Sequence, residues 1–130
     1  MGQFAIGQPV PRTEDPRLLR GGGQYVDDIR LSNECHAYML RSPHAHARVI
    51  SIETKAAQTM PGVIAVFTGA DWVADGHGQH SIEIPRVRRD GSPQFCPIRH
   101  AIEPNVVKVI GDIVAMVVAE SVNQGKDAAE

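Results

Sequence analysis

Two histidines stand two residues apart in the run Arg41-Ser42-Pro43-His44-Ala45-His46-Ala47-Arg48. If that backbone is extended, both imidazoles point to one face. An H-x-H pair can offer two nitrogens to zinc or copper. A zinc site needs at least three protein ligands, however, and no third or fourth follows at a fixed spacing. The plainer reading gives His44 and His46 hydrogen bonds to backbone or to a neighbouring domain. His77-x-x-His80 is a second pair, in a stretch with no helical pattern to align it, and His100 is a further imidazole.

Other residues offer chemistry less directly. Arg86, Arg88 and Arg89 could meet a phosphate or an acidic surface, or simply form a solvated basic loop. Gly21-Gly22-Gly23 lacks the surroundings of a phosphate loop, with no Walker-type or dinucleotide-type glycine spacing and no strand-then-helix around it. It is expected to form a turn that uses positive φ. Asp27 and Asp28 are adjacent, so their carboxylates diverge in extended chain and read as turn starters or caps rather than an acid–base dyad. Cys35 and Cys96 make neither a disulfide framework nor a C-x-x-C motif. Cys35 lies in a strand pattern, where a buried, inert thiol is expected.

Composition narrows the class. The chain has 130 residues, 42% of them hydrophobic and 22% charged, which fits one globular domain with a real core. A formal net charge of -2 argues against nucleic acid or an anionic membrane as a charge-driven partner. Aromatics at 5% supply no stacking platform for single strands. The first ten residues have neither the basic nor the apolar region of a secretory signal. The longest apolar run, residues 113–119, is far short of the ~20 residues that span a bilayer. A cytoplasmic protein is the expectation.

The elements that must position these residues follow from patterning. Residues 1–23 form an expected extended arm, broken by Pro9, Pro11 and Pro16. Arg12, Glu14 and Asp15 make it a charged arm, either solvated or docked on another domain. Residues 24–26 are expected to add a short strand. Residues 34–40 and 49–53 alternate like strands and flank the histidine turn closely enough to pair antiparallel. Thr54 should N-cap a short helix over 55–60 that ends at Pro61-Gly62. Residues 63–67 are a strand, and Thr68 with Asp71 should cap a helix over 69–74. Residues 75–99 form a long irregular loop. Residues 106–110 are a strand, Gly111-Asp112 a tight turn, and residues 113–119 a core strand buried on both faces. Ser121 and Gln124 make a capping box for a last helix over 122–130. That helix has no glycine cap or basic last turn, so the chain is expected to continue past Glu130.

Five ordered stretches resemble one known family. Arg12-Thr13-Glu14-Asp15-Pro16-Arg17-Leu18-Leu19-Arg20-Gly21 with Tyr25-Val26-Asp27-Asp28-Ile29 is similar to the opening of molybdenum hydroxylase large subunits, the xanthine dehydrogenase, aldehyde oxidase and aerobic carbon monoxide dehydrogenase family. The run from Arg41 through Arg48, Met60-Pro61-Gly62-Val63, Thr68-Gly69-Ala70-Asp71, and the strand-turn-strand from Val109 to Glu120 resemble its later signatures. Departures are local. Ile113 stands where a proline is common, Cys35 where an apolar or small residue is usual, and Gly125 interrupts the last helix.

The resemblance implies an α+β fold: an α/β-hammerhead-type domain of mixed or antiparallel short strands with two or three short helices. It implies the N-terminal structural domain of an oxidoreductase that oxidises a C–H bond or carbon monoxide with water as oxygen source. It implies a molybdopterin-type molybdenum cofactor in the full subunit, with iron–sulfur clusters and FAD on partner domains or subunits. No position here matches the family's catalytic or pterin-contacting residues, so no catalytic, cofactor-binding or metal residue is assigned and the chain alone is expected to be inactive. The contact candidates toward the remaining domains are Arg12, Glu14, Asp15, Arg41, His44, His46 and Arg48. Two alternatives stand beside this reading: a free-standing subunit-docking module, and a small metal-binding protein built on the histidines.

Overall fold

A computed structural model describes Gly7, residues 11–80 and residues 86–130. Most of the first ten residues of the expected arm, and residues 81–85 of the expected loop, lie outside the described residues. The chain divides into two compact units, Met1–Glu34 and Cys35–Glu130.

In the first unit the expected extended arm contains one helical turn, α1 (Asp15–Leu18). Pro16 sits in its first turn, where no backbone donor is needed and the fixed φ suits the helix. Glu14 accepts from Arg17 Nε at 2.9 Å. Gly21, at φ +73°, then turns the chain. Its N–H donates to the Leu18 carbonyl at 3.0 Å, while the Gly22 N–H donates to that of Arg17 at 2.9 Å. The strand expected at 24–26 does not form. Val26–Asp28 is a 3-10 turn, because the Asp28 carboxylate accepts from the Tyr25 N–H at 2.8 Å and draws the backbone out of extension. Asp28 therefore acts as the capping carboxylate that its sequence position suggests.

The second unit contains β1 (His36–Arg41), β2 (Ala47–Arg48), α2 (Lys55–Gln58), β3 (Val63–Thr68), α3 (Gly69–Ala74), β4 (Val106–Val107), β5 (Ile113–Ala119) and α4 (Val122–Asp127). Three antiparallel strands form a sheet in the order β1-β5-β3, and β2 pairs with β4 in a separate ribbon. The apolar run takes the middle place, with Tyr38 and Val66 on either side of Val117. Ala115, Val117 and Ala119 are buried, whereas Val114, Met116 and Val118 between them are only half-buried. The expectation of burial on both faces thus holds for one face.

Several local expectations are corrected. Residues 49–53 do not pair with β1, because the chain there follows the β2–β4 ribbon, where the Val49 N–H donates to the Asn105 carbonyl at 2.8 Å. β4 stops after two residues, since the N–H groups of Lys108 and Val109 bond to the Asp112 carboxylate instead of a strand. Thr54 makes no side-chain cap; the Lys55 N–H donates to Glu53 Oε1 at 3.1 Å. Cys35 lies just outside β1 and is exposed. At α4, Ser121 Oγ accepts from the Gln124 N–H at 3.3 Å, but the Gln124 side chain bonds back to the Ser121 hydroxyl, not to its N–H. Gly125 does not break this helix. It is buried inside it, and an added Cβ would stand 3.1 Å from Tyr38 Cβ, so the glycine allows α4 to lie against β1.

Elsewhere the patterning held. Thr68 and Asp71 form the expected capping box at α3: Asp71 Oδ2 accepts from both the Thr68 hydroxyl and the Thr68 N–H at 2.7 Å. The hydroxyl bond first, and the N–H bond second, hold the Asp71 carboxyl below its ordinary value. Residues 86–94 make a tight local return, with Val87 bridged to Pro93.

Gly69 opens α3 against the chain at Glu103-Pro104. An added Cβ would stand 2.4 Å from both Pro104 N and Pro104 Cα, which are backbone atoms and cannot swing aside. Gly69→Ala should therefore destabilise the chain by about 1–3 kcal/mol, the usual range for overpacking. Urea unfolding should show a lower midpoint at unchanged m-value. A gain in stability, as helix propensity alone would give, would contradict this close approach.

Candidate functional site

The histidine turn is latched to the turn before β5. The Ser42 N–H donates to the Asp112 carbonyl at 2.9 Å, the Gly111 N–H donates to the Ser42 carbonyl at 2.9 Å, and Arg41 Nη1 donates to the Gly111 carbonyl at 2.9 Å. Ser42 is buried, and its hydroxyl accepts from the His44 N–H at 3.1 Å. This arrangement follows from Pro43: with no N–H of its own, it leaves the sheet rim to be tied by its neighbours.

Beneath the latch lies a charged cluster. Asp112 Oδ2 accepts from the N–H groups of Lys108 at 2.6 Å and Val109 at 3.0 Å, and Oδ1 accepts from Arg99 Nη2 at 2.6 Å. Burial pushes the Asp112 carboxyl up. The two backbone bonds, with the charges of Arg99 and Lys108, outweigh it and leave the group below its ordinary value. Glu103, also buried, accepts from Lys108 Nζ at 2.9 Å and from the His100 N–H at 3.2 Å. His100 Nδ1 is 3.8 Å from Glu103 Oε2 and makes no hydrogen bond among the described residues.

The contact candidates distribute as follows. Arg12, Glu14 and Asp15 belong to the first unit; Arg41, His44, His46 and Arg48 belong to the second. His44 and His46 are exposed on a bend rather than extended backbone, so the shared face of an H-x-H strand does not arise. His77 stacks on Trp72 with ring centroids 4.5 Å apart, and the His80 N–H donates to the Arg99 carbonyl at 2.8 Å. Among the described residues no group of three or more His, Cys, Asp or Glu is placed to hold a metal ion. Arg99, Glu103, Lys108 and Asp112 were not singled out by sequence reasoning. The one available signal was Asp112 itself: a carboxylate directly before an all-apolar run must turn back onto its own loop.

Residues 20–130 match the family described as aldehyde oxidase and xanthine dehydrogenase, a/b hammerhead domain. The chain belongs to this family. Its hammerhead domain is 41% identical, over 96% of the chain, to the nicotine 6-hydroxylase large subunit of Paenarthrobacter nicotinovorans, covering 15% of that protein. It is 50% identical, over 51% of the chain, to the carbon monoxide dehydrogenase large chain of Afipia carboxidovorans, covering 8% of that protein. Among solved structures, quinoline 2-oxidoreductase from Pseudomonas putida 86 superposes with a TM-score of 0.83 at 39% identity, over 98% of this chain and 16% of that one. The matched stretch thus spans only 8–16% of the length of these relatives. No helix of the described residues is long and apolar enough to cross a membrane.

Asp112 gives the hammerhead domain a pH signature. A carboxyl lowered on folding contributes stability that is present above its unfolded value and is lost as pH falls through the folded one. Asp112→Asn should cost roughly 2–3 kcal/mol at neutral pH, the scale of charge-assisted hydrogen bonds. Urea melts of both chains should show that gap shrinking as pH falls below about 4. A gap that stays constant into acid would remove the ionised carboxylate from this role.

Proposed function

We infer that this chain serves as a structural and docking domain of a molybdenum hydroxylase large subunit, and that the oxidation itself takes place on other domains. One observation carries the reading: the match to the nicotine 6-hydroxylase large subunit runs through 96% of this chain but only 15% of that protein. The surface supports it. Ile50, Ile64 and Ile110 are 83%, 60% and 71% exposed, apolar area of a kind that neighbouring domains cover. By family resemblance the full assembly carries a molybdopterin-type molybdenum cofactor with iron–sulfur clusters and FAD, and acts in the cytoplasm.

On this reading the molybdenum group is held by other domains of the subunit. One cleft of about 240 Å³ is floored by Phe67, Trp72, Ile102 and Met116, and another of about 360 Å³ mixes apolar side chains such as Leu40, Ile50 and Val107 with Arg41, His44 and Arg48. The first is mostly apolar wall, poorly suited to a pterin and its phosphate. The chain's contribution is therefore packing. Arg41, His44, His46 and Arg48, together with Arg12, Glu14 and Asp15, are the polar contacts proposed toward the remaining domains.

The purified chain should contain no stoichiometric molybdenum by mass spectrometry and should not reduce an artificial acceptor with carbon monoxide, xanthine, nicotine or quinoline. Removing this segment from a large subunit that carries it should abolish assembly of that subunit. Turnover by the chain alone would overturn the reading, and so would unimpaired assembly without it.

A further inference from the structure

The turn before β5 engages two guanidinium groups. Arg41 Nη1 donates to the Gly111 carbonyl at 2.9 Å, and Arg99 Nη2 donates to Asp112 Oδ1 at 2.6 Å. Their acceptors, a backbone carbonyl and a side-chain carboxylate, belong to consecutive residues of that turn. Both line a cleft of about 320 Å³ that His80 and His100 also border.

Among the described residues the charges in this cleft do not balance. Asp112 is the carboxylate that lines it, and both its oxygens are engaged, one by Arg99 and the other by two backbone N–H groups. Arg99 is thereby neutralised. Arg41 is not, because its acceptor is an uncharged carbonyl, and among the described residues it has no ion-pair partner. Its head is exposed, and most of its five N–H donors remain available.

We propose that this cleft is a carboxylate-binding site, with Arg41 as its anchor and Arg99, oriented by Asp112, as the second donor. A single unmatched positive charge suits a monoanion. A phosphate dianion would leave excess negative charge beside Asp112. The planar guanidinium fork also matches a carboxylate's two oxygens in a way that a lysine ammonium does not. The carboxylate has two possible sources: a free small organic acid, or an Asp or Glu side chain of a segment packed on this turn. The cleft is built by this chain alone; the free-acid source stands without the docking reading, whereas the side-chain source rests on it.

The test follows the arginine Nε–H resonances of the chain by NMR during titration with sodium acetate, against sodium chloride at equal ionic strength. Arg41 and Arg99 should shift saturably with a Kd on the order of 10 mM. Arg41→Gln should weaken binding at least about tenfold, and Arg41→Lys, which keeps the charge but loses the fork, about threefold. Arg86→Gln, a change outside the cleft, should leave the titration unaltered. Shifts that are linear and common to all arginines would overturn the site, as would titrations unchanged in both Arg41 variants or tighter binding of inorganic phosphate than of acetate. Phenylglyoxal modification of Arg41, read by peptide mass mapping, separates the sources. Protection of the chain by acetate alone marks a free acid. Protection in a large subunit carrying this sequence, without acetate, marks a side-chain carboxylate. Protection in neither case overturns the site.

Discussion

The Asp112 carboxylate accepts from two consecutive backbone N–H groups and from a guanidinium while itself buried, and this settles much of the second unit. By taking the N–H groups of Lys108 and Val109 it ends β4 after two residues and folds the chain back at Gly111. The turn so formed offers the Asp112 and Gly111 carbonyls and the Gly111 N–H to Ser42 and Arg41. β1 is thereby fixed against β5 at one end, with its register shifting between Leu40 and Arg41, where the sheet hands over to the latch. A buried carboxylate without these partners would be strongly unfavourable, so the ionised group and the turn geometry support each other.

What the sequence made legible was local. The apolar run 113–119, the strand at 63–68 and the Thr68–Asp71 capping box each carry their signal within a few residues, and each forms as patterned. Pairing was not legible in the same way. Residues 49–53 alternate as a strand should and lie close to β1, yet the strand beside β1 comes from more than seventy residues further along the chain, as His36 opposite Ala119 shows. A short connection favours a hairpin, but an all-apolar strand has more surface to cover and decides the sheet order. Cys35 shows how narrow the margin is: the strand begins at His36, and the thiol one residue earlier is exposed.

The candidate site divides along the same line. His44 and His46 stand out in the sequence because their spacing resembles a ligand pair, but the bend at Pro43 removes the extended backbone that the pairing requires. The residues that do converge, Arg99, Glu103, Lys108 and Asp112, form no known motif, and the backbone group that completes their turn belongs to Ser42, far away in sequence. Arg41 links the two readings. It was visible as part of the histidine run, while its bond to the Gly111 carbonyl and its place in the cleft that Arg99 also lines depend on the meeting of the two turns.

The burial of β5 bears on how such a domain is used. A strand apolar at every position is patterned for cover on both faces. Here Ala115, Val117 and Ala119 are buried, whereas Val114, Met116 and Val118 remain half-buried. Phe67 and Trp72, which share a cleft with Met116, leave it partly open, and Ile64 on the neighbouring strand is exposed. The hydrophobicity of this sheet is thus greater than the second unit itself covers. The relatives this chain matches are several times longer, and that excess is what the proposed docking role would use: each Å² of apolar area removed from water contributes roughly 25 cal/mol. The same physics that puts β5 at the centre of the sheet leaves apolar area on its less buried face that the second unit does not cover.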